Sequence, residues 1–70
     1  MTKTRTEAEA ITDILAALHR RVRTAEWDYG QARKLYPAGS VYRRETRAAL
    51  EEALEASIAA QRIAETVNAR

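Results

Sequence analysis

Histidine and clustered carboxylates are the residues of this 70-residue chain that could support acid–base or metal chemistry. The single histidine, His19, would need a nucleophile or carboxylate partner as a general base, and further ligands in a metal site. Neither a His-x-x-x-His nor a Glu-x-x-His spacing occurs. Glu51 and Glu55 share one helix face and Glu52 lies between them in the sequence, but no histidine completes a metal-binding pattern, so a solvated acidic face is expected. We predict no catalytic residue and no metal site.

Phosphate-binding loops and cysteine chemistry are missing from the sequence. Gly30 and Gly39 are isolated glycines, and the chain has no cysteine for a disulfide or a thiolate ligand. We therefore predict a protein that is not an enzyme and that takes no cofactor and no small-molecule substrate.

The single tryptophan lies on a basic stripe of the first predicted helix. At 100° per residue, Trp27 points about 160° away from the apolar side of that helix. Tryptophan and arginine dominate the binding energy of protein interfaces. We therefore predict a partner-binding face, or a contact with a second copy, and its residues are Arg20, Arg23, Trp27, Gln31 and Lys34. The alternatives are a cation–π contact with neighbouring cations and stacking on a nucleobase.

A second basic cluster lies in the middle of the chain. The formal net charge is +2, yet residues 19–47 hold eight arginines and lysines against three acidic residues, together with all four aromatic residues. The candidate phosphate contacts in this segment are Arg33, Arg43, Arg44 and Arg47. The alternative function is thus a small nucleic-acid-binding protein, although a solvated helix surface explains these arginines equally well at so low a net charge.

The first helix is predicted over about residues 6–35. Thr6 and Glu9 form a capping-box pattern at its start. Apolar residues then follow at alternating spacings of three and four, at Ala8, Ile11, Leu15, Leu18, Val22, Ala25, Tyr29, Ala32 and Tyr36. Gly30 costs about 1 kcal/mol within a helix. We expect the helix to continue through Gly30, because the apolar spacing keeps its phase beyond it.

A turn over residues 36–40 and a second helix over about residues 41–68 complete the chain. Pro37 disfavours helical geometry at Tyr36, Gly39 permits a positive φ, and Ser40 can cap the second helix. The predicted packing face of this helix is rich in alanine, with Tyr42, Ala49, Ala53, Ala56, Ala60, Ile63, Ala64 and Val67. Leu50, Leu54 and Ile58 widen it on one side.

These elements predict an all-α fold, a single antiparallel helical hairpin over residues 1–70. So small a chain supplies little net stability from one core, and the second helix has a wider apolar face than one neighbour covers. We expect two hairpins to pair into a four-helix bundle as a homodimer. The alternative is that a different protein covers the remaining apolar surface of the second helix.

The function predicted from the sequence is a small helical protein–protein interaction module of the adaptor or inhibitor type, such as a phage or mobile-element accessory protein. No targeting signal or membrane span is visible, so we expect a cytoplasmic protein without a membrane role. A protein partner is expected.

Overall fold

The chain folds into two long helices that pack against each other as an antiparallel hairpin. The computed structural model describes residues 6–69; Lys3, Arg5 and Arg70, which contribute to the net charge, lie outside that range. Helix α1 spans Glu7–Leu35 and helix α2 spans Val41–Asn68, and no strand occurs in the described part. The molecule measures 52 × 28 × 13 Å, which makes it about one helix thick. Neither helix has, within residues 6–69, an apolar stretch sufficient to traverse a lipid bilayer.

Helix α1 begins and ends where its local sequence predicts. The Thr6 hydroxyl accepts a hydrogen bond from the Glu9 amide at 3.1 Å and so caps the first turn. The helix passes through Gly30 without a break. It ends at Leu35 because Tyr36, the residue before proline, has extended backbone angles (φ −128°, ψ 146°).

The turn reverses the chain within five residues. Gly39 has a φ of +112°, which residues with a side chain rarely adopt. The Ser40 amide donates to the Pro37 carbonyl at 3.1 Å, and the Ser40 hydroxyl accepts from the Arg43 amide at 3.2 Å. Ser40 therefore closes the turn and caps α2 at once, as predicted.

The contact between the helices is built from small side chains. The buried residues are Ala25 and Ala32 in α1 and Ala53, Ser57 and Ala64 in α2. No large side chain is fully buried among the described residues. Small side chains let the two backbones approach closely. The larger residues of the apolar line of α1 are left half-buried: Ile11, Leu15, Leu18 and Val22.

The predicted packing face of α2 is confirmed only in part, since five of its eight members are buried or half-buried: Ala53, Ala56, Ala60, Ala64 and Val67. Tyr42, Ala49 and Ile63 are exposed, whereas Ser57, which the prediction left out, is buried. The residues that face α1 follow their own alternation of threes and fours, at Arg43, Thr46, Leu50, Ala53, Ser57, Ala60, Ala64 and Val67. Leu50 thus belongs to this line rather than to its flank. Alanines occur around much of α2, so the apolar pattern alone could not determine which line faces the partner helix.

Candidate functional site

Trp27 is exposed on the outer side of α1, opposite the contact with α2. Its exposed fraction is 66%. A shallow groove beside it is lined by Arg23, Glu26, Trp27, Gly30, Gln31 and Lys34. Four of the five predicted partner-binding residues therefore line one groove. The fifth, Arg20, does not line it but lies one turn before Arg23 on the same exposed stripe. We call these five predicted residues the Trp27 face.

The polar residues of the Trp27 face have no partner of their own within residues 6–69. The side chains of Arg20, Arg23 and Lys34 form no ion pair or hydrogen bond there, and neither does that of Gln31. Trp27 makes no cation–π contact in the described part; the one found there joins Arg33 and Tyr29. The cations of this face are thus solvated, and no intramolecular contact holds the tryptophan ring.

Two residues of this groove, Glu26 and Gly30, were absent from the predicted set. Glu26 places a carboxylate within an otherwise cationic groove. Gly30 leaves an open space beside Trp27, because a Cβ atom built there meets nothing within 4 Å. A glycine three residues after an outward-pointing tryptophan was the signal in the sequence that could have indicated this space.

The turn end of the hairpin gathers the candidate phosphate contacts. Arg43, Arg44 and Arg47 line a groove together with Tyr29 and the turn residues 38–39. Arg33 does not line this groove, but its guanidinium carbon lies 5.8 Å from the centroid of the Tyr29 ring. The structure therefore brings all four arginines to one end of the molecule. We call Arg33, Arg43, Arg44 and Arg47 the basic turn end.

The arginines of the basic turn end differ in the intramolecular contacts that their side chains form. The Arg47 Nε atom lies 3.2 Å from Oε1 of Glu51 and forms an ion pair with it. The Arg43 Nη1 atom donates to the Tyr36 carbonyl at 3.5 Å, which is long for a hydrogen bond. The Arg44 side chain has no hydrogen bond or ion pair in the described range. Arg44 is therefore the arginine of this group most available to an anion.

The candidate acid–base and metal-binding residues lie apart from one another. His19 is exposed and borders a groove with Val22 and Leu54, and no carboxylate lines that groove. Glu52 pairs instead with Arg21, at 3.7 Å between Oε1 and Nη2. Over residues 6–69, no three acidic or histidine side chains are grouped to hold a metal ion.

Comparison with known proteins adds no assignment. No protein-family model, curated protein or solved structure matches the chain.

Proposed function

We propose that this chain is a non-enzymatic helical interaction module that binds a protein partner through the Trp27 face. The observation that carries this proposal is the 66% exposure of the single tryptophan within a groove of unpaired polar side chains. The residues that dominate the binding energy of protein interfaces are enriched in tryptophan, tyrosine and arginine. The hairpin leaves the apolar surface of this ring exposed to water. A partner that buries the ring would remove that surface from water, which is favourable.

Gly30 supports the same proposal. A glycine inside a helix costs about 1 kcal/mol relative to alanine. Neither its backbone angles nor its neighbours within the hairpin require a glycine, because the position is helical and a Cβ atom would meet open space. The bare backbone beside Trp27 lets a partner approach α1 more closely than alanine would.

The charges of the face indicate the chemistry of the partner. Arg20, Arg23 and Lys34 surround the ring with positive charge, whereas Glu26 is the one carboxylate that lines the groove. The complementary surface is acidic around an apolar depression that receives the indole. Such complementarity raises the association rate and determines register more than it raises affinity.

Site-specific photo-crosslinking tests this proposal in the cell of origin. A photoreactive residue at Gln31 should capture a distinct protein band, whereas the same residue at Arg62, which is exposed on α2, should not. Trp27→Ala and Arg23→Ala should each abolish the Gln31 band. Capture that is equal at both positions, or that survives both substitutions, would show that the Trp27 face is not the binding site.

A second candidate function is nucleic-acid binding through the basic turn end, and the observation that favours it is the convergence of four arginines there. Contact with four phosphates of duplex DNA predicts a slope of about −3.6 for log affinity against log salt concentration. Arg44→Ala should weaken binding and reduce the magnitude of this slope by about 0.9, the loss of one phosphate contact. Arg62→Ala should do neither. Absence of binding to both duplex and single-stranded DNA at low salt would exclude this candidate.

We also propose that the protein acts in the cytoplasm. A chain without cysteine depends on no oxidising compartment, which supports action in the cytoplasm. The small size and the exposed binding face suit an accessory protein of a phage or mobile element, by analogy with proteins of that kind.

A further inference from the structure

The hairpin exposes far more surface than a folded monomer of its size. Its accessible surface is 5,689 Å², about 1,300 Å² more than the roughly 4,400 Å² expected for 7.9 kDa. A standard protein interface buries about 800 Å² on each partner. One further layer of helices would therefore account for most of the excess, and stable domains are built from at least two such layers.

The broad face that carries Leu54 and Ile58 is the one suited to receive that layer. Leu54 is 41% exposed and Ile58 is 50% exposed. Both line a groove that crosses from α2 to His19, Val22 and Arg23 of α1. Leu54 and Ile58 are four residues apart and so form one apolar stripe on α2. We call Val22, Leu54 and Ile58 the Leu54 face.

On the opposite broad face of the hairpin, polar side chains occupy the same level along the helix axes. Arg21 and Glu52 form an ion pair across it, and Thr24, Asp28 and Thr46 line the groove beside them. Covering this face would remove a solvated ion pair and a further carboxylate from water, which is costly unless each is matched by the partner. The groove of the Leu54 face has no carboxylate and no ion pair among its lining residues. Arg23 and Gln61 also line it, and long side chains of this kind can cover apolar surface with their stems while their polar ends stay in water. The Leu54 face therefore has the lower desolvation cost.

We propose that a second copy of this chain binds the Leu54 face and that the two hairpins form a four-helix bundle. Under two-fold symmetry, residue i of one copy meets residue j of the other and the reverse. An antiparallel crossing of the two α2 helices therefore sets Leu54 of each copy against Ile58 of the other. This proposal extends the proposed interaction module by naming its first partner. It leaves Trp27, Gln31 and Lys34 free on the outer side of each α1, whereas Arg23 lines both grooves.

Sedimentation equilibrium of the purified chain tests this assembly. The wild type should sediment at twice 7.9 kDa at micromolar concentrations. Leu54→Gln/Ile58→Gln, which keeps helix propensity, should weaken the dimer by about a hundredfold or more. The matched control is Ile14→Gln/Ile63→Gln, two exposed residues outside the Leu54 face with exposed fractions of 53% and 60%; this pair should leave the dimer intact. A monomeric wild type, or dissociation by the control pair alone, overturns the proposal.

Crosslinking tests the dimer without relying on the glutamine variants, which could lose the dimer by failing to fold. Because the chain has no cysteine, Ile58→Cys introduces a single thiol, which a short bismaleimide should link into covalent dimers. Ile63→Cys should give few covalent dimers, because Ile63 lies outside the Leu54 face. Equal yields from the two positions would contradict the arrangement.

Trp27→Ala separates this proposal from that of the Trp27 face. It should leave the dimer mass unchanged, because Trp27 lies outside the Leu54 face. Dissociation by Trp27→Ala would show that the second copy occupies the Trp27 face, and would overturn the Leu54 assignment. A monomeric wild type that still gives the Gln31 crosslink would refute the dimer alone.

Discussion

The rings of Tyr36 and Tyr42 meet across the turn, with centroids 4.8 Å apart and planes inclined by 50°. Tyr36 caps the end of α1 and Tyr42 lies in the first turn of α2. This aromatic contact joins the two helices at the end of the hairpin where the chain reverses. Tilted aromatic pairs at this distance contribute about 0.5–1.5 kcal/mol beyond the area they bury.

Removal of one of these rings should loosen the turn end. We expect Tyr42→Ala to lower the free energy of unfolding by about 1 kcal/mol, measured by thermal denaturation followed by circular dichroism. Tyr42→Phe keeps the ring and serves as the control, with an expected change close to zero. If both variants lose the same stability, the phenol hydroxyl rather than the ring contact would be responsible.

The two glycines should respond in opposite directions to alanine. Gly30→Ala should stabilise the chain by about 0.5–1 kcal/mol, because the position is helical and a Cβ atom meets open space. Gly39→Ala should destabilise it by about 1 kcal/mol, because the φ of +112° strains any residue with a side chain. Chemical denaturation measures both changes. If Gly30→Ala also weakens binding at the Trp27 face while stabilising the fold, the glycine serves the partner; unchanged binding would remove that support.

Close approach of the helices should make the core intolerant of larger side chains. Ala53 is fully buried, with an exposed fraction of 0%, so Ala53→Leu should cost about 1–3 kcal/mol through overpacking. Ala59 is exposed on the same helix, and Ala59→Leu should leave stability unchanged. Both variants are compared by urea denaturation. Similar midpoints for the two would contradict the close packing at Ala53.

The ion pair between Arg21 and Glu52 should contribute little to stability. Its shortest distance is 3.7 Å, and both side chains are more than half exposed. Exposed pairs of this kind are worth about 0–1 kcal/mol and weaken in salt. A double-mutant cycle with Arg21→Ala and Glu52→Ala should therefore give a coupling energy below about 0.5 kcal/mol. A coupling several times larger would indicate that the pair is shielded from solvent, as it would be if a second layer covered that face.

Much of the fold follows from local sequence patterns. The caps at Thr6 and Ser40 and the proline after Tyr36 act through contacts within a few residues, so they determined the helix bounds. The apolar line of α1 was predicted because its isoleucines, leucines and valine are confined to one stripe, apart from Ile14 and Leu35. The outward position of Trp27 followed from the same periodicity.

The candidate surfaces were predicted only in part. Four residues of the Trp27 face do line one groove, but the open space at Gly30 appeared only once neighbouring atoms were placed around it. Likewise, the sequence placed the arginines of the basic turn end near the turn. The structure distinguished the paired Arg47 from the unpaired Arg44, because pairing depends on side-chain positions that spacing does not specify.

By itself, the sequence determined two helices, one turn and an outward tryptophan, because hydrophobic periodicity, capping and backbone restriction act locally. Only the tertiary structure decided the rotation of α2, which buries Ser57 and leaves Ile63 exposed. Alanine gains little on burial, so several lines of α2 were nearly equivalent by hydrophobicity alone. The choice among them came from close packing, which accepts a small serine between helices and leaves Leu54 and Ile58 partly exposed at the surface.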